Sequence, residues 1–424
     1  MSQSELYVSL DIGSSSVKVL IGEVDGDALH VIGVGNVQSK GIRKGTIIDI
    51  DATVSSIRKA VEQAERMTGM NIHEVVLGIP ANSVQLYDVN GIIAINSEDR
   101  EITDDDLDRV MVEAQRTPLP PEREIVNIFP KQFIVDDYNE INDPRGMLGL
   151  RLEMEGTMIT TSKTVLHNLL RCVERAGLSI REIYLQPLAA GTFALTEDEK
   201  MRGTAYIDIG GGLTTISYYE SNRIQKIGVV PLGGDNVTKD LSYVLQTPTE
   251  EARKIKHKYG HAFYDEASDD ELFEVPIIGS ETKEQFSQRY ISEIIEVRLE
   301  ELFDLILEEF YHMGIQSLPG GIVLTGGITK IEGILPLARH VLQQRVRIHV
   351  PEYIGVREPM YSTAVGLIQY AHKDDLFYGA PEPVQEQQVE RVAQTADRQE
   401  RSQGEESQES IMSKAKKWFN NFFE

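Results

Sequence analysis

The chain has 424 residues, 42 Lys and Arg against 67 Asp and Glu, and a formal net charge of −25. That length suits two or three domains at about 150 residues each, and so acidic a body is repelled by nucleic acid and anionic lipid alike, which argues against a nucleic-acid partner. The lone cysteine, Cys172, has no disulfide partner and reads as a small core residue in a reducing cytoplasm; no signal peptide or membrane-spanning run is present, and the nine histidines lack metal-ligand spacing.

In chain order, the first informative segment is LYVSLDIGSSSVKVLIGE, Leu6 to Glu23. An apolar run delivers Asp11 to a turn of small residues, Gly13, Ser14 and Ser15, and a second apolar run returns, which predicts a β-hairpin. A strand, EVVLGIPA, follows from Glu74 to Ala81. Residues 82–161 then carry an alternating strand around Val84 to Ile95 and a helix capped near Thr103, with Leu107, Val110, Met111 and Ala114 on one face. Further strands lie near Ile125 to Val135 and Arg151 to Thr161, so this stretch reads as a small folded domain, not a long loop. Helix and strand resume at Thr164 and lead to Gln186 and Pro187.

The segment TAYIDIGGGLTTISYYE, Thr204 to Glu220, repeats the first pattern: Asp208 reaches a turn of Gly210, Gly211 and Gly212. Either hairpin alone is ordinary; two of them suggest related half-domains. A turn without bulky side chains lets backbone N–H groups approach polyphosphate oxygens, and Ser or Thr hydroxyls add donors. Asp11 and Asp208 can face Mg2+, which is held by one or two carboxylates plus phosphates. Gly233-Gly234-Asp235-Asn236 precedes a helix expected near Val237, as a helix N-cap or as a turn beside nucleotide. The helical run from Glu251 to Gly260 contains Lys256. The run GIVL, Gly321 to Leu324, leads to Gly326, Gly327 and Ile328, a strand-to-helix turn or a glycine pair against adenine or ribose.

A helix is expected over Thr363 to Ala371. From Pro381 to Ser410 the composition turns to Gln, Glu, Arg and Ser without aromatics, which predicts a flexible tether. The chain's last residues, SIMSKAKKWFNNFFE, put Ile411, Met412, Trp418, Phe419, Phe422 and Phe423 on one helical face and Lys414 and Lys417 on the other. Fourteen helical residues span about 21 Å against a hydrocarbon core of roughly 30 Å, so this helix cannot cross a bilayer. It can lie in an anionic phospholipid interface, or dock as a helix on a protein surface.

The order of these motifs resembles the actin-like ATPases, which include sugar kinases and heat-shock chaperone ATPases, over nearly everything up to about residue 372. The resemblance implies an α/β, two-lobed ATPase fold that holds ATP and Mg2+. Asp11, Gly13, Ser14, Ser15 and Lys18 match the first phosphate loop, Asp208 to Gly212 with Thr214 the second, and Gln186 the position that orients an attacking water. Gly233, Gly234, Lys256, Gly326, Gly327 and Ile328 match nucleotide contacts, although Arg253 stands where many relatives carry an acidic residue beside the ribose. A neutral Gln is a poor general base, which predicts slow hydrolysis and a nucleotide that acts as a switch.

With an inserted α+β subdomain and a tethered amphipathic helix, the chain resembles more closely the FtsA family of bacterial cell-division ATPases. That resemblance implies a peripheral protein at the cytoplasmic face of the membrane, at the septum. It also implies self-assembly into actin-like filaments, a surface for FtsZ between Leu232 and Gln316, and recruitment of later divisome membrane proteins. The implied domains are a first-lobe core (1–81, 162–195), the insertion (82–161), a second-lobe core (196–231, 317–372), a mainly helical subdomain (232–316), a linker (373–410) and the terminal helix (411–424). A metabolic kinase and a pilus-assembly relative are the rival readings.

Overall fold

The computed structural model describes residues 4–378 apart from 27 and 281. Residues 1–370 form one compact unit; the second unit begins at Ala371, and its described part is the last turns of a helix. The predicted tether from Pro381 and the terminal amphipathic helix lie outside the described residues.

The first lobe opens with an antiparallel meander, β1 (Glu5–Ile12), β2 (Ser16–Asp25) and β3 (Ala28–Gln38). A short hairpin, β4 (Ile42–Arg43) and β5 (Thr46–Ile47), leads to α1 (Ile50–Thr68). The Asp49 carboxylate caps α1 by accepting from the Ala52 N–H at 3.0 Å, and Gly69 ends it in the left-handed conformation. Next comes β6 (Glu74–Ile79), parallel to β1.

The insertion follows as β7 (Gln85–Ala94), α2 (Asp104–Ala114), β8 (Arg123–Val135), β9 (Tyr138–Ile141) and β10 (Arg151–Ser162), an antiparallel sheet of order β7-β10-β8-β9. The predicted face of α2, Leu107, Val110, Met111 and Ala114, is buried against Val89, Met154 and Met158 in a core of its own. The predicted cap holds: the Asp106 carboxylate reaches back to the Thr103 N–H at 3.1 Å. The edge strand β9 carries no separate sequence signal, because it is four residues long and mostly exposed.

Ser162 is both the last residue of β10 and the N-cap of α3 (Lys163–Ala176), so strand passes to helix without a loop. Arg123 pins this junction, donating to the Ser83 carbonyl at 2.9 Å and to the Thr160 carbonyl at 2.8 Å. After α3, β11 (Ser179–Leu185) completes a sheet of order β11-β6-β1-β2-β3, and α4 (Gln186–Ala194) crosses toward the second lobe.

The second lobe repeats the plan. After α5 (Glu197–Arg202), β12 (Thr204–Ile209), β13 (Thr214–Glu220) and β14 (Arg223–Val230) form an antiparallel meander. Then come α6 (Gly234–Val244), α7 (Thr249–Tyr259), the hairpin β15 (Leu272–Pro276) and β16 (Lys283–Ser287), and α8 (Gln288–His312). The last elements are β17 (Gly321–Thr325), α9 (Ile334–Leu342), β18 (Val346–Ile348) and α10 (Ser362–Tyr378). The sheet order β14-β13-β12-β17-β18 is that of the first lobe, three antiparallel strands followed by two parallel ones. Tyr219 locks the lobes together: its buried hydroxyl donates to the carbonyls of Pro187 and Leu188 in α4, at 3.0 and 3.2 Å.

Two boundaries differ from expectation, and one subdomain holds an unforeseen hairpin. The helix expected near Val237 starts at Gly234, because Gly233 is its N-cap. The subdomain expected to be mainly helical also holds the β15–β16 hairpin. The helix expected to end at Ala371 continues to Tyr378, taking the first residues assigned to the linker, since after Ala371 no glycine or proline occurs until 379 and 381.

Candidate functional site

Two equivalent tight turns meet between the lobes. In the first the Gly13 N–H donates to the Ser16 carbonyl at 3.0 Å; in the second the Gly210 N–H donates to the Leu213 carbonyl at 2.9 Å. Asp11 lies opposite Lys18 in its hairpin, and Asp208 opposite Thr215 in the other. Both turns line one cavity of about 530 Å³, within the roughly 300–1,000 Å³ usual for small-molecule sites.

Strand alternation decides which groups enter it. On β1 and β2, Asp11 and Lys18 are buried and joined, with Nζ 2.8 Å from Oδ2. Burial disfavours the ammonium, but the Asp11 carboxylate outweighs this and raises Lys18 above its ordinary value. Gln186, the first residue of α4 with Pro187 in its opening turn, donates from Nε2 to Asp11 Oδ1 at 2.8 Å; the Gly78 carbonyl is 3.4 Å from the same nitrogen. Two acceptors around Nε2 orient the amide, so its oxygen is the end left to accept.

Asp208 sits across from this trio. Burial, and then the Asp11 charge, push its carboxyl up to about 6, opposed by Lys18 and by the Thr363 hydroxyl, which donates to Oδ2 at 3.4 Å. Gly326 forms the third wall at φ +94°, where a Cβ would fall 2.3 Å from Asp208 Oδ1; the turn approaches the carboxylate closely only because this residue is glycine. At the opposite end Lys256 donates to the Gly234 carbonyl at 2.7 Å, and burial brings it down to about 8.

Of the residues singled out in the sequence, Asp11, Gly13, Ser14, Ser15, Lys18, Gln186, Asp208, Gly210, Gly211, Gly212, Gly234, Lys256, Gly326, Gly327 and Ile328 all line this cavity. Two do not. Thr214 has the wrong parity on β13: it is fully buried, and its hydroxyl donates to the Leu232 carbonyl at 2.9 Å, while its neighbour Thr215 faces the cavity. Gly233 lies against the carbonyls of Gly210 and Gly211 and serves as the helix cap, the simpler of its two readings. The residues proposed to face lipid, Ile411, Met412, Lys414, Lys417, Trp418, Phe419, Phe422 and Phe423, lie outside the described residues.

Sequence reasoning missed Thr215, Thr363, Gln38 and Glu250 as cavity residues. Register on the second hairpin could have found Thr215, since it occupies the place that Lys18 holds on the first. The others are brought in by packing and carry no local signal. Arg253 also lines the cavity, 3.6 Å from Asp235 and 3.3 Å from Glu250.

The family model described as cell division protein FtsA matches residues 205–366, and that described as the SHS2 domain inserted in FTSA matches residues 81–160. The chain is 54% identical over 379 residues to cell division protein FtsA of Bacillus subtilis (strain 168), covering 89% of this chain and 86% of that one. It is 39% identical over 440 residues to the Enterococcus faecalis (strain ATCC 700802 / V583) protein of the same name, covering 100% of both. Among solved structures it resembles a PilM-PilN type IV pilus biogenesis complex, with TM-score 0.59, 16% identity, and coverage of 85% of this chain and 97% of that chain. It also resembles MreB 5 of Spiroplasma citri bound to AMPPNP, with TM-score 0.55, 13% identity, and coverage of 89% and 99%. At those identities the likeness is one of fold, an α/β actin-like fold carrying an insertion. Matched along nearly its whole length by relatives well above the level of chance, the chain belongs to the FtsA family of cell division proteins.

Proposed function

We propose that the chain holds ATP with Mg2+ in the cleft between its lobes, assembles with itself, and tethers FtsZ filaments to the cytoplasmic face of the membrane at the septum, recruiting later divisome membrane proteins through the inserted subdomain. The observation that carries the nucleotide part is the convergence of Asp11, Lys18, Gln186 and Asp208, from three separate segments, on one cavity walled by glycine turns. The description of an MreB relative as bound to AMPPNP supports the same use of the cleft here. That of another neighbour as the MamK double helical filament supports self-assembly.

The residues present fit Mg2+. Burial, and then the neighbouring Asp11 charge, push Asp208 up to about 6. A divalent cation relieves both effects, and two carboxylates with phosphate oxygens are a donor set that Mg2+ accepts. When bound it neutralises charge on the phosphates. The chain's own groups do the rest: Lys18 supplies a fixed positive charge beside Asp11, the small turns offer backbone N–H donors, and the Gln186 amide oxygen accepts from a water without removing its proton. Hydrolysis is accordingly slow, and multiple turnovers per second by the purified protein would contradict this.

Asp208→Ala is expected to weaken magnesium-dependent ATP binding at least about tenfold, the loss of one charged site contact. Unchanged binding by calorimetry would overturn the assignment of the cleft. Anchoring is tested by sedimenting the full chain, and a version ending at Ser410, with anionic vesicles. The full chain is expected to pellet and the shorter one to stay in solution; equal pelleting removes the anchor.

A further inference from the structure

Five polar side chains form a belt across the mouth of the cleft. Ser15, in the first turn, donates its hydroxyl to Asp235 Oδ2 at 2.9 Å. Asp235, at the start of α6, lies 3.6 Å through Oδ1 from Nη2 of Arg253 on α7. Arg253 Nη1 reaches Glu250 Oε1, one helical turn earlier, at 3.3 Å. Gln38, at the end of β3, donates from Nε2 to that same oxygen at 3.3 Å. The belt therefore leaves the first lobe at Ser15, crosses two helices of the second and returns to the first lobe at Gln38, and all five residues line the cavity.

Close packing shows that the two sides of this belt fit each other. A Cβ on Gly211 would fall 1.6 Å from Ser15 Oγ and 3.1 Å from Asp235 Oδ2, so only glycine lets the second turn pass beneath that contact. Arg253 is the one cation of the belt and stands between two carboxylates; without it Asp235 and Glu250 would repel across the same gap. Its side chain is 28% exposed, against 29% for Asp235 and 64% for Glu250. Ion pairs this exposed are individually weak and screened by salt. Such a belt parts readily, and its effect falls on rates.

We propose that Arg253 is the keystone of a clasp between the lobes that governs how fast nucleotide passes the mouth of the cleft. The proposal rests on the nucleotide reading above. A ligand entering or leaving must part Ser15 from Asp235 or Gln38 from Glu250, so the clasp slows both directions and leaves affinity nearly untouched.

The test is stopped-flow mixing of the full chain with Mg2+ and a fluorescent ATP analogue. Arg253→Ala is expected to speed entry and release alike, about three- to tenfold, with their ratio nearly constant. Raising the salt is expected to speed release from the native protein but not from this variant. Arg253→Lys should fall between the two, because an ammonium lacks the planar fork that holds two carboxylates at once. Gln38→Ala, which leaves α6 and α7 intact, should shift both rates in the same direction, and it carries the test if Arg253→Ala loses its native circular dichroism. Unchanged rates in the folded variants overturn the clasp alone. Faster release with unchanged entry also overturns it, by making Arg253 a direct ligand contact. Absence of binding by the native protein overturns the nucleotide reading, and the clasp with it.

Discussion

Burial and the Asp11 carboxylate push Asp208 up to about 6 from an ordinary 3.8, so between those values the folded chain binds a proton that the unfolded chain releases. Stability therefore falls as pH rises through that window, and the penalty is fully present above it, by no more than about 3 kcal/mol at about 1.4 kcal/mol per pH unit. Asp208→Asn is expected to raise the thermal midpoint by a few degrees at about pH 8, and the gain should shrink as the pH is lowered toward about 5. A gain constant with pH would mean that charge is not its source. The same substitution should weaken magnesium-dependent nucleotide binding, so this site is held at some cost to the fold. Asp11 and Asp208 were legible in the sequence because a strand-end aspartate followed by small residues is a local pattern. Thr363 and Glu250 were not, since α10 and α7 bring them to the cleft from elsewhere in the chain.

Among the elements, the α4 crossing is braced by the Tyr219 hydroxyl, which donates to two carbonyls in the opening turn of the helix. Tyr219→Phe leaves both buried carbonyls without that donor and is expected to destabilise the protein by about 1–2 kcal/mol, read as a lower midpoint in urea. Gly326→Ala combines a positive φ with a Cβ 2.3 Å from Asp208 and 2.4 Å from the Ile209 carbonyl. Its expected cost is above about 2 kcal/mol, with loss of nucleotide binding in whatever fraction still folds. Elements with strong periodicity were read well: α2 and its cap match the pattern of Thr103, Leu107, Val110 and Met111. Short elements were not: β9 is four residues long and mostly exposed, and the β15–β16 hairpin buries only Phe273 and Val275 within five-residue strands, too few positions for a period to show. The misplacement of Thr214 was an error of parity within a correctly placed strand, the kind of slip that a period of two makes easy.

At the scale of the whole molecule, the net charge of −25 opposes any approach between copies of the chain. Self-association, followed by sedimentation, is therefore expected to increase as ionic strength rises from about 0.05 to 0.15 M, because the Debye length contracts to about 8 Å. Pelleting that falls over this range would mean that attractive charge pairs dominate the contact. The likeness of the two lobes was visible from their paired hairpins; that each sheet then adds two parallel strands was not, because those strands are separated by long excursions, one of them the entire insertion. That insertion is joined to its lobe through Ser162, where strand becomes helix with no intervening loop, and Arg123 braces the seam. The other connection, residues 80–84 between β6 and β7, is a short turn held by Arg123 through the Ser83 carbonyl, so the insertion is mounted like a rudder on its shaft. A tilt of the first lobe would therefore be carried whole to the exposed edge strand at Tyr138.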